Sequence, residues 1–147
     1  AAGTGPEAAP NVWEDVETSG DQGTLALFTR EDQRWTIVQE TDAGRAKLDA
    51  AAADHSPEWR GLGVSVLHRL IVETLLGTES PTPTKYVHRI DEVVEGIRSG
   101  AYPLAALVMP ATVDHVRTIS SLGERMPAKS TYFYPKLLSG LVVNLLE

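Results

Sequence analysis

The stretch GTLALFTREDQRWTIVQE, residues 23–40, contains two runs of strand-forming residues separated by polar ones. Residues 23–29 and 34–40 are rich in Leu, Val, Ile, Thr and aromatic side chains, which favour β-strands. The polar sequence REDQ, residues 30–33, supplies a loop between them. The stretch therefore predicts a β-hairpin, and the elements on either side of it decide the fold class.

Strands and helices alternate after the hairpin. Residues 41–63 predict a short helix or an ordered loop. Three helices are predicted: from the N-cap Ser65 to Gly77, from the cap Asp91 to Gly100, and from the cap Thr112 to Gly123. In the last of these, we expect Val113, Val116, Ile119 and Leu122 to face inward. Three strands are predicted: at residues 86–90, at residues 103–109, where the strand is buried on both faces, and at residues 139–146. The order β-β-α-β-α-β-α-β predicts one α/β (or α+β) domain with helices packed on a mixed sheet.

The first residues, AAGTGPEAAP, are small residues, Gly and Pro without apolar periodicity. Such a composition buries little surface, so we expect residues 1–14 to be a flexible segment outside the core and residues 15–147 to form the domain. The chain does not begin with Met, which suggests a piece of a longer protein.

Composition narrows the function classes. The formal net charge of −7 argues against nucleic acid or an anionic membrane as the main partner. There is no cysteine and no apolar run long enough to span a bilayer, so we expect a cytoplasmic protein.

Motifs for metal and phosphate binding are missing from the sequence. Its four histidines have no metal-binding spacing, so we expect no metal site. Neither GxGxxG nor GxxxxGK[ST] occurs. Gly61 and Gly63 precede a predicted helix, where backbone N–H groups can hold an anion, but flexible turn residues are the simpler interpretation.

The richest cluster of polar and aromatic side chains is MPAKSTYFYPKL, residues 126–137. Two ammonium groups, two hydroxyls and two phenols make a donor-rich surface suited to a phosphate or carboxylate. The candidate ligand-binding residues are Lys129, Ser130, Thr131, Tyr132, Tyr134 and Lys136. If the stretch is extended, Ser130, Tyr132 and Tyr134 share one face, and we expect Phe133 to turn inward. The alternative, which residue types alone favour, is that the aromatic rings cover the core and the lysines are solvated.

Three motifs carry a resemblance to a known family: GVSVLHRLIVETLLG, DEVVEGIRSGAYPLAALVMPATVDHVRTI and GERMPAKSTYFYPKLLSGLVVN. The region from about residue 61 to 146 resembles the C-terminal part of the bacterial family known as domain of unknown function 1015. Members of that family are longer, and their N-terminal part resembles the ParB/sulfiredoxin-like fold, with a GHHR-type motif that this chain lacks. The same broad superfamily includes kinases that act on free serine.

The resemblance implies an accessory domain of a small-molecule enzyme, such as a kinase of a small metabolite, that contributes anion or nucleotide contacts. It implies no cofactor in this chain, ATP or ADP with Mg in the full-length parent, and catalytic activity in the parent rather than in this chain alone. The implied partners are the missing N-terminal domain and a small anionic ligand. The alternative is a non-catalytic structural or interdomain module, in which the same aromatic residues form an interface.

Overall fold

The predicted hairpin lies at the centre of the sheet. The computed structural model of the protein describes residues 2–78 and 84–132. Its strands are β1 (Gly3–Thr4), β2 (Thr24–Thr29), β3 (Arg34–Gln39) and β4 (Leu104–Val108). β2 and β3 pair antiparallel, from Thr24 opposite Gln39 to Thr29 opposite Arg34. Gln33 ends the connecting turn in the left-handed region (φ 56°), and its side-chain amide donates to the Arg30 carbonyl at 2.9 Å. The hairpin prediction is confirmed.

The sheet has the strand order β1-β3-β2-β4. β1 pairs with the outer edge of β3. β4 pairs with the other edge of the hairpin, antiparallel to β2, from Leu25 opposite Val108 to Thr29 opposite Leu104. Since β3 and β4 are both antiparallel to β2, they run in the same direction, one strand apart. Every neighbouring pair among the described residues is therefore antiparallel, and the prediction of a mixed sheet is wrong for this part of the chain.

Helices cover both faces of the sheet and complete a single α/β domain, as predicted. The helices in the described residues are a 3₁₀ helix (Pro6–Ala8), α1 (Ala9–Ser19), α2 (Asp42–Ala51), α3 (Pro57–Arg60), α4 (Gly63–Ser65), a π-helix (Val66–Leu75), α5 (Ile90–Arg98) and α6 (Val113–Ser121). Successive strand residues point to opposite faces, so Ala26 and Phe28 pack with α1 and α5. Leu25 packs on the other face with α2, α3, the π-helix and α6.

The N-terminal segment contributes to the core, which corrects the expectation for residues 1–14. Ala9, Val12 and Val16 are fully buried on one side of α1, a helical spacing that the small residues around Ala9 conceal in the sequence. The indole N–H of Trp35 donates to the Gly5 carbonyl at 3.1 Å. Since α1 crosses the expected boundary at residue 14 and its buried residues join the core, β1 and α1 belong to the domain.

The predicted helix after Gly63 is present, but Ser65 does not cap it. α4 runs directly into the π-helix, and Ser65 lies inside this continuous segment, 1% exposed. Its hydroxyl donates to the Trp59 carbonyl at 2.7 Å instead of accepting from a helix N–H. Gly77 adopts the left-handed conformation expected at the exit (φ 63°).

Residues 86–90 do not form the predicted strand. Residues 84–87 are irregular, and α5 begins at Ile90. The spacing of Ile90, Val93, Val94 and Ile97 is helical and includes Ile90, one residue before Asp91, which explains the earlier start. Arg89 is the N-cap residue of α5, so the assignment of Asp91 as the cap is also wrong.

β4 and α6 lie at the predicted positions but are less buried than expected. Leu107 is 4% exposed and Leu104 is 39% exposed, because β4 has no neighbouring strand on its outer side among the described residues. Thr112 caps α6 as predicted and forms a capping box with His115. Ile119 is fully buried, whereas Val113 and Leu122 are 67% and 56% exposed, so the expected inward set is wrong at those two positions.

The strand predicted at residues 139–146 lies outside the described residues. Within residues 2–78 and 84–132, the structure contains no helix of the length and apolarity that crossing a bilayer requires.

Candidate functional site

Four of the six predicted binding residues, Lys129 to Tyr132, lie in the part of the chain that the structure describes, whereas Tyr134 and Lys136 lie outside it, as does Phe133. The four do not form an extended strand. Lys129 adopts a left-handed conformation (φ 61°), and Ser130 folds back so that its backbone N–H and its hydroxyl both donate to the Pro127 carbonyl, at 3.3 and 2.7 Å. The Ser130 hydroxyl proton is thus used within the turn.

Tyr132 lies against a histidine from a distant part of the chain. Its ring stacks on His88, with ring centroids 3.8 Å apart and an interplanar angle of 29°. Tyr132 remains 50% exposed, and His88 is exposed as well. The stack joins the segment before α5 to the turn that carries Lys129.

A second aromatic contact links the same segment to the π-helix. Tyr86 Oη lies 3.3 Å from His68 Nε2, with ring centroids 6.0 Å apart. Burial lowers the pKa of His68 below its ordinary value, although nearby Glu73 opposes this. A neutral His68 can accept a hydrogen bond from the Tyr86 hydroxyl. We call Tyr86, His88, Tyr132 and His68 the tyrosine–histidine cluster.

Each of the two segments that form the Tyr132–His88 stack also carries a lysine. Lys85 and Lys129 lie three residues before His88 and Tyr132, respectively. Neither lysine forms an ion pair among the described residues. Arg89, in contrast, binds Asp91, with Nε 3.0 Å from Oδ1, and this hydrogen bond lowers the pKa of Asp91. Among the described residues, Lys85 and Lys129 are therefore two positive charges on these segments that no ion pair uses.

The turn that carries Lys129 is tethered at its start by Glu124. Glu124 Oε1 lies 2.5 Å from His55 Nδ1, and Oε2 accepts the Ser56 backbone N–H at 3.1 Å. His55 in turn stacks flat on Trp59, with ring centroids 3.8 Å apart. Burial raises the pKa of Glu124, but the hydrogen bonds from Ser56 and His55 outweigh burial and hold the pKa below its ordinary value. This pairing fixes the residue that leads into the candidate site.

The alternative anion site at Gly61 and Gly63 is excluded by the hydrogen bonds of those residues. The Gly61 N–H donates to the Pro57 carbonyl at 2.8 Å. The Gly63 N–H donates to Gln22 Oε1 at 2.9 Å. Because both N–H groups already have protein acceptors, they function as structural groups.

A surface depression of about 480 Å³ lies between the start of α1 and α5. Its charged lining consists of three carboxylates and one guanidinium, from Glu7, Asp91, Glu95 and Arg98. Arg98 pairs with Glu7, with Nε 2.7 Å from Oε1. The excess of negative charge makes this depression unsuitable for an anion.

Sequence reasoning identified Lys129 and Tyr132 but missed His88, Tyr86 and His68 as their neighbours. Their sequence context shows only that the histidines lack metal-binding spacing, and the described residues hold no cluster of three or more metal-binding side chains. One sequence signal could have indicated Tyr86 and His88. They are two aromatic residues, two positions apart, in the short segment before α5.

Comparison of the chain with models of known protein families, with curated proteins and with solved structures found no match.

Proposed function

We propose that this chain is an accessory domain of a small-molecule enzyme and that it holds a small anionic ligand beside the tyrosine–histidine cluster. The observation that carries the proposal is the stack of Tyr132 on His88, with ring centroids 3.8 Å apart. This stack joins two segments that each contribute a lysine without an ion pair among the described residues. In a chain of net charge −7, a lysine on each of the two stacked segments is a distinct feature.

The cluster supplies the donors that an anion requires. The ammonium groups of Lys85 and Lys129 attract the charge, and the exposed imidazole of His88 offers a directional hydrogen bond. The turn at Pro127 and the tether at Glu124 hold this surface before a ligand arrives, which lowers the entropy lost on binding. A phosphate or carboxylate group matches these donors.

The family resemblance extends the proposal to the parent protein. We propose that the parent belongs to the family known as domain of unknown function 1015, and that its N-terminal domain carries the reaction, a phosphoryl transfer with ATP or ADP and Mg to a small metabolite such as serine. In that arrangement Lys129 and Tyr132 contact the substrate or a nucleotide phosphate at the junction of the two domains.

A second candidate function, an interdomain interaction module, is favoured by exposed apolar side chains. Leu75 and Leu76 at the end of the π-helix are 54% and 58% exposed, and Val113 on α6 is 67% exposed. Such residues suit a surface that another domain covers. This candidate predicts no binding of a free anion by the 147-residue chain.

The two candidates are separated by an NMR titration of the 147-residue chain with sodium pyrophosphate. The control is sodium chloride at the same ionic strength. We expect saturable shifts of the His88 and Tyr132 ring signals with pyrophosphate alone. Absence of shifts at millimolar pyrophosphate, or equal shifts with sodium chloride, would contradict anion binding and favour the interaction module.

A further inference from the structure

The outer edge of β4 is open among the described residues, because β4 ends the strand order there. At the start of β4, the Pro103 carbonyl accepts the Arg30 N–H at 2.9 Å. In an antiparallel pair, residues that bond to the neighbouring strand alternate with residues whose N–H and C=O point away from it. Leu104, Ala106 and Val108 therefore direct three donors and three acceptors away from β2. We call the N–H groups of these three residues the edge amides.

This edge lacks the features that protect the open edges of natural sheets. Such edges are very short, carry charged residues or proline, or are covered by another element. β1, at the opposite end of the sheet, is only two residues long. β4 has five residues, LAALV, without a charge or a proline, and Leu104 is 39% exposed. We therefore expect another segment to cover this edge.

The chain contains a segment of matching character beyond the described residues. Fifteen residues follow Tyr132, and among them residues 139–146, SGLVVNLL, are an uncharged run rich in strand-forming side chains. In an extended run, the leucines and valines fall on both sides. This pattern is typical of a strand that is buried on both faces, and the sheet carries helices on both of its faces.

The start of this segment is anchored near β4. Tyr132 stacks on His88, and Ile90, two residues after His88, packs against the core cluster that contains Leu107 of β4. The seven residue steps from Tyr132 to Ser139 can span up to about 25 Å. A segment of the same chain is also present at a high effective concentration, on the order of millimolar for a short linker. It therefore has an advantage over the same segment of a second copy.

We propose that residues 139–146 dock on the outer edge of β4 as a fifth strand of the sheet. Their backbone carbonyls accept the edge amides, and their N–H groups donate to the carbonyls on the same edge. The apolar side chains of the run cover the exposed part of Leu104. The docked strand also prevents a second copy of the chain from pairing with β4. This inference does not depend on anion binding, since it rests on the backbone of β4.

Hydrogen exchange and NOE measurements by NMR on the 147-residue chain test the docking. The amides of Ala105 and Leu107 point towards β2 and serve as the internal reference. We expect the edge amides to exchange within about tenfold of this reference, and backbone NOEs to connect β4 with residues 139–146. Exchange more than about tenfold faster at the edge amides, or absence of these NOEs, would overturn the proposal.

Proline variants identify the covering segment. Consecutive strand residues direct their N–H groups to opposite sides, so either Val142→Pro or Val143→Pro removes a donor to β4. At least one of the two should accelerate exchange at the edge amides more than about tenfold, while the reference amides stay protected. Glu147→Pro, outside the run, should leave exchange unchanged. Unchanged edge amides in both valine variants would overturn the proposal.

The protein concentration separates the chain's own segment from a second copy. Pairing within one chain predicts the same exchange rates at 20 and 500 µM protein and a monomer in sedimentation velocity at both concentrations. Protection of the edge amides that increases with protein concentration would assign the edge to a second copy and overturn the proposal.

Discussion

His55 Nδ1 and Glu124 Oε1 lie 2.5 Å apart although 69 residues separate them in the sequence. The pair connects the segment between α2 and α3 to the residues that follow α6. Since Glu124 also accepts the Ser56 backbone N–H, one carboxylate satisfies donors on two adjacent residues. The start of the segment that leads to the turn at Lys129 is therefore held by contacts of Glu124 with His55 and Ser56.

Stability should depend on pH through Glu124. Its folded-state pKa lies below the ordinary value of 4.5, because the hydrogen bonds from Ser56 and His55 outweigh the effect of burial. The stabilisation is therefore complete above about pH 4.5 and is lost as the pH falls through the lowered folded-state pKa. At pH 7, Glu124→Gln should lower the free energy of unfolding by about 1–2 kcal/mol.

Urea denaturation at several pH values measures this effect. The difference between wild type and Glu124→Gln should stay constant from pH 7 to about pH 5 and shrink in more acidic solution. Glu14→Gln on α1, where the side chain is exposed, is the control and should differ little from wild type at any pH. A Glu124→Gln difference as large at pH 3 as at pH 7 would contradict the assignment.

The N-terminal helix should be needed for stability. Val12 is fully buried between α1 and the sheet, whereas Asp15 on the same helix is exposed. Val12→Ala should lower the free energy of unfolding by about 2 kcal/mol, through lost apolar burial and the cavity left behind. Asp15→Ala should change it by less than about 0.5 kcal/mol. Thermal unfolding checks both, and equal effects would place α1 outside the cooperative core.

Two glycine-to-alanine variants should have opposite signs. At Gly44 in α2, an added Cβ meets Leu70 Cδ2 at an ordinary 3.4 Å, so Ala should raise stability by up to about 1 kcal/mol through its greater helix propensity. At Gly63, the Cβ would lie 2.9 Å from the Gln22 backbone carbonyl and 2.8 Å from Val108 Cγ1. Gly63→Ala should therefore cost about 1–3 kcal/mol.

Denaturant titration of both variants measures these changes, and two effects of the same sign would contradict the packing at one position.

The parts of the fold that were predicted correctly depend on local signals. The hairpin follows from strand propensity in residues 23–40, and the start of α6 follows from the capping preference of Thr112. The start of α5 was misjudged because Ile90 fits both a short strand and the first apolar position of a helix. The burial of Ala9 and Val12 is not evident from the sequence, because the Ala, Gly and Pro residues before Val12 carry a weak apolar signal.

The candidate site could be predicted only in part, for a similar reason. Residue types marked Lys129 and Tyr132, but their contact partners depend on the tertiary fold. Nothing near Tyr132 in the sequence indicates that His88 stacks on it. Likewise, no local pattern specifies a π-helix in place of an α-helix for Val66–Leu75, the segment that positions His68.

The central claim, that Lys129 and the tyrosine–histidine cluster hold an anion, is tested most directly by the affinity for pyrophosphate. Isothermal titration calorimetry would compare the 147-residue wild type with Lys129→Ala and with Lys47→Ala, which removes an exposed lysine from α2. An exposed charge contact contributes about 0.2–1 kcal/mol, so Lys129→Ala should weaken binding up to about fivefold, while Lys47→Ala leaves the affinity unchanged. Equal affinity for all three proteins, or an equal loss in both variants, would contradict the claim.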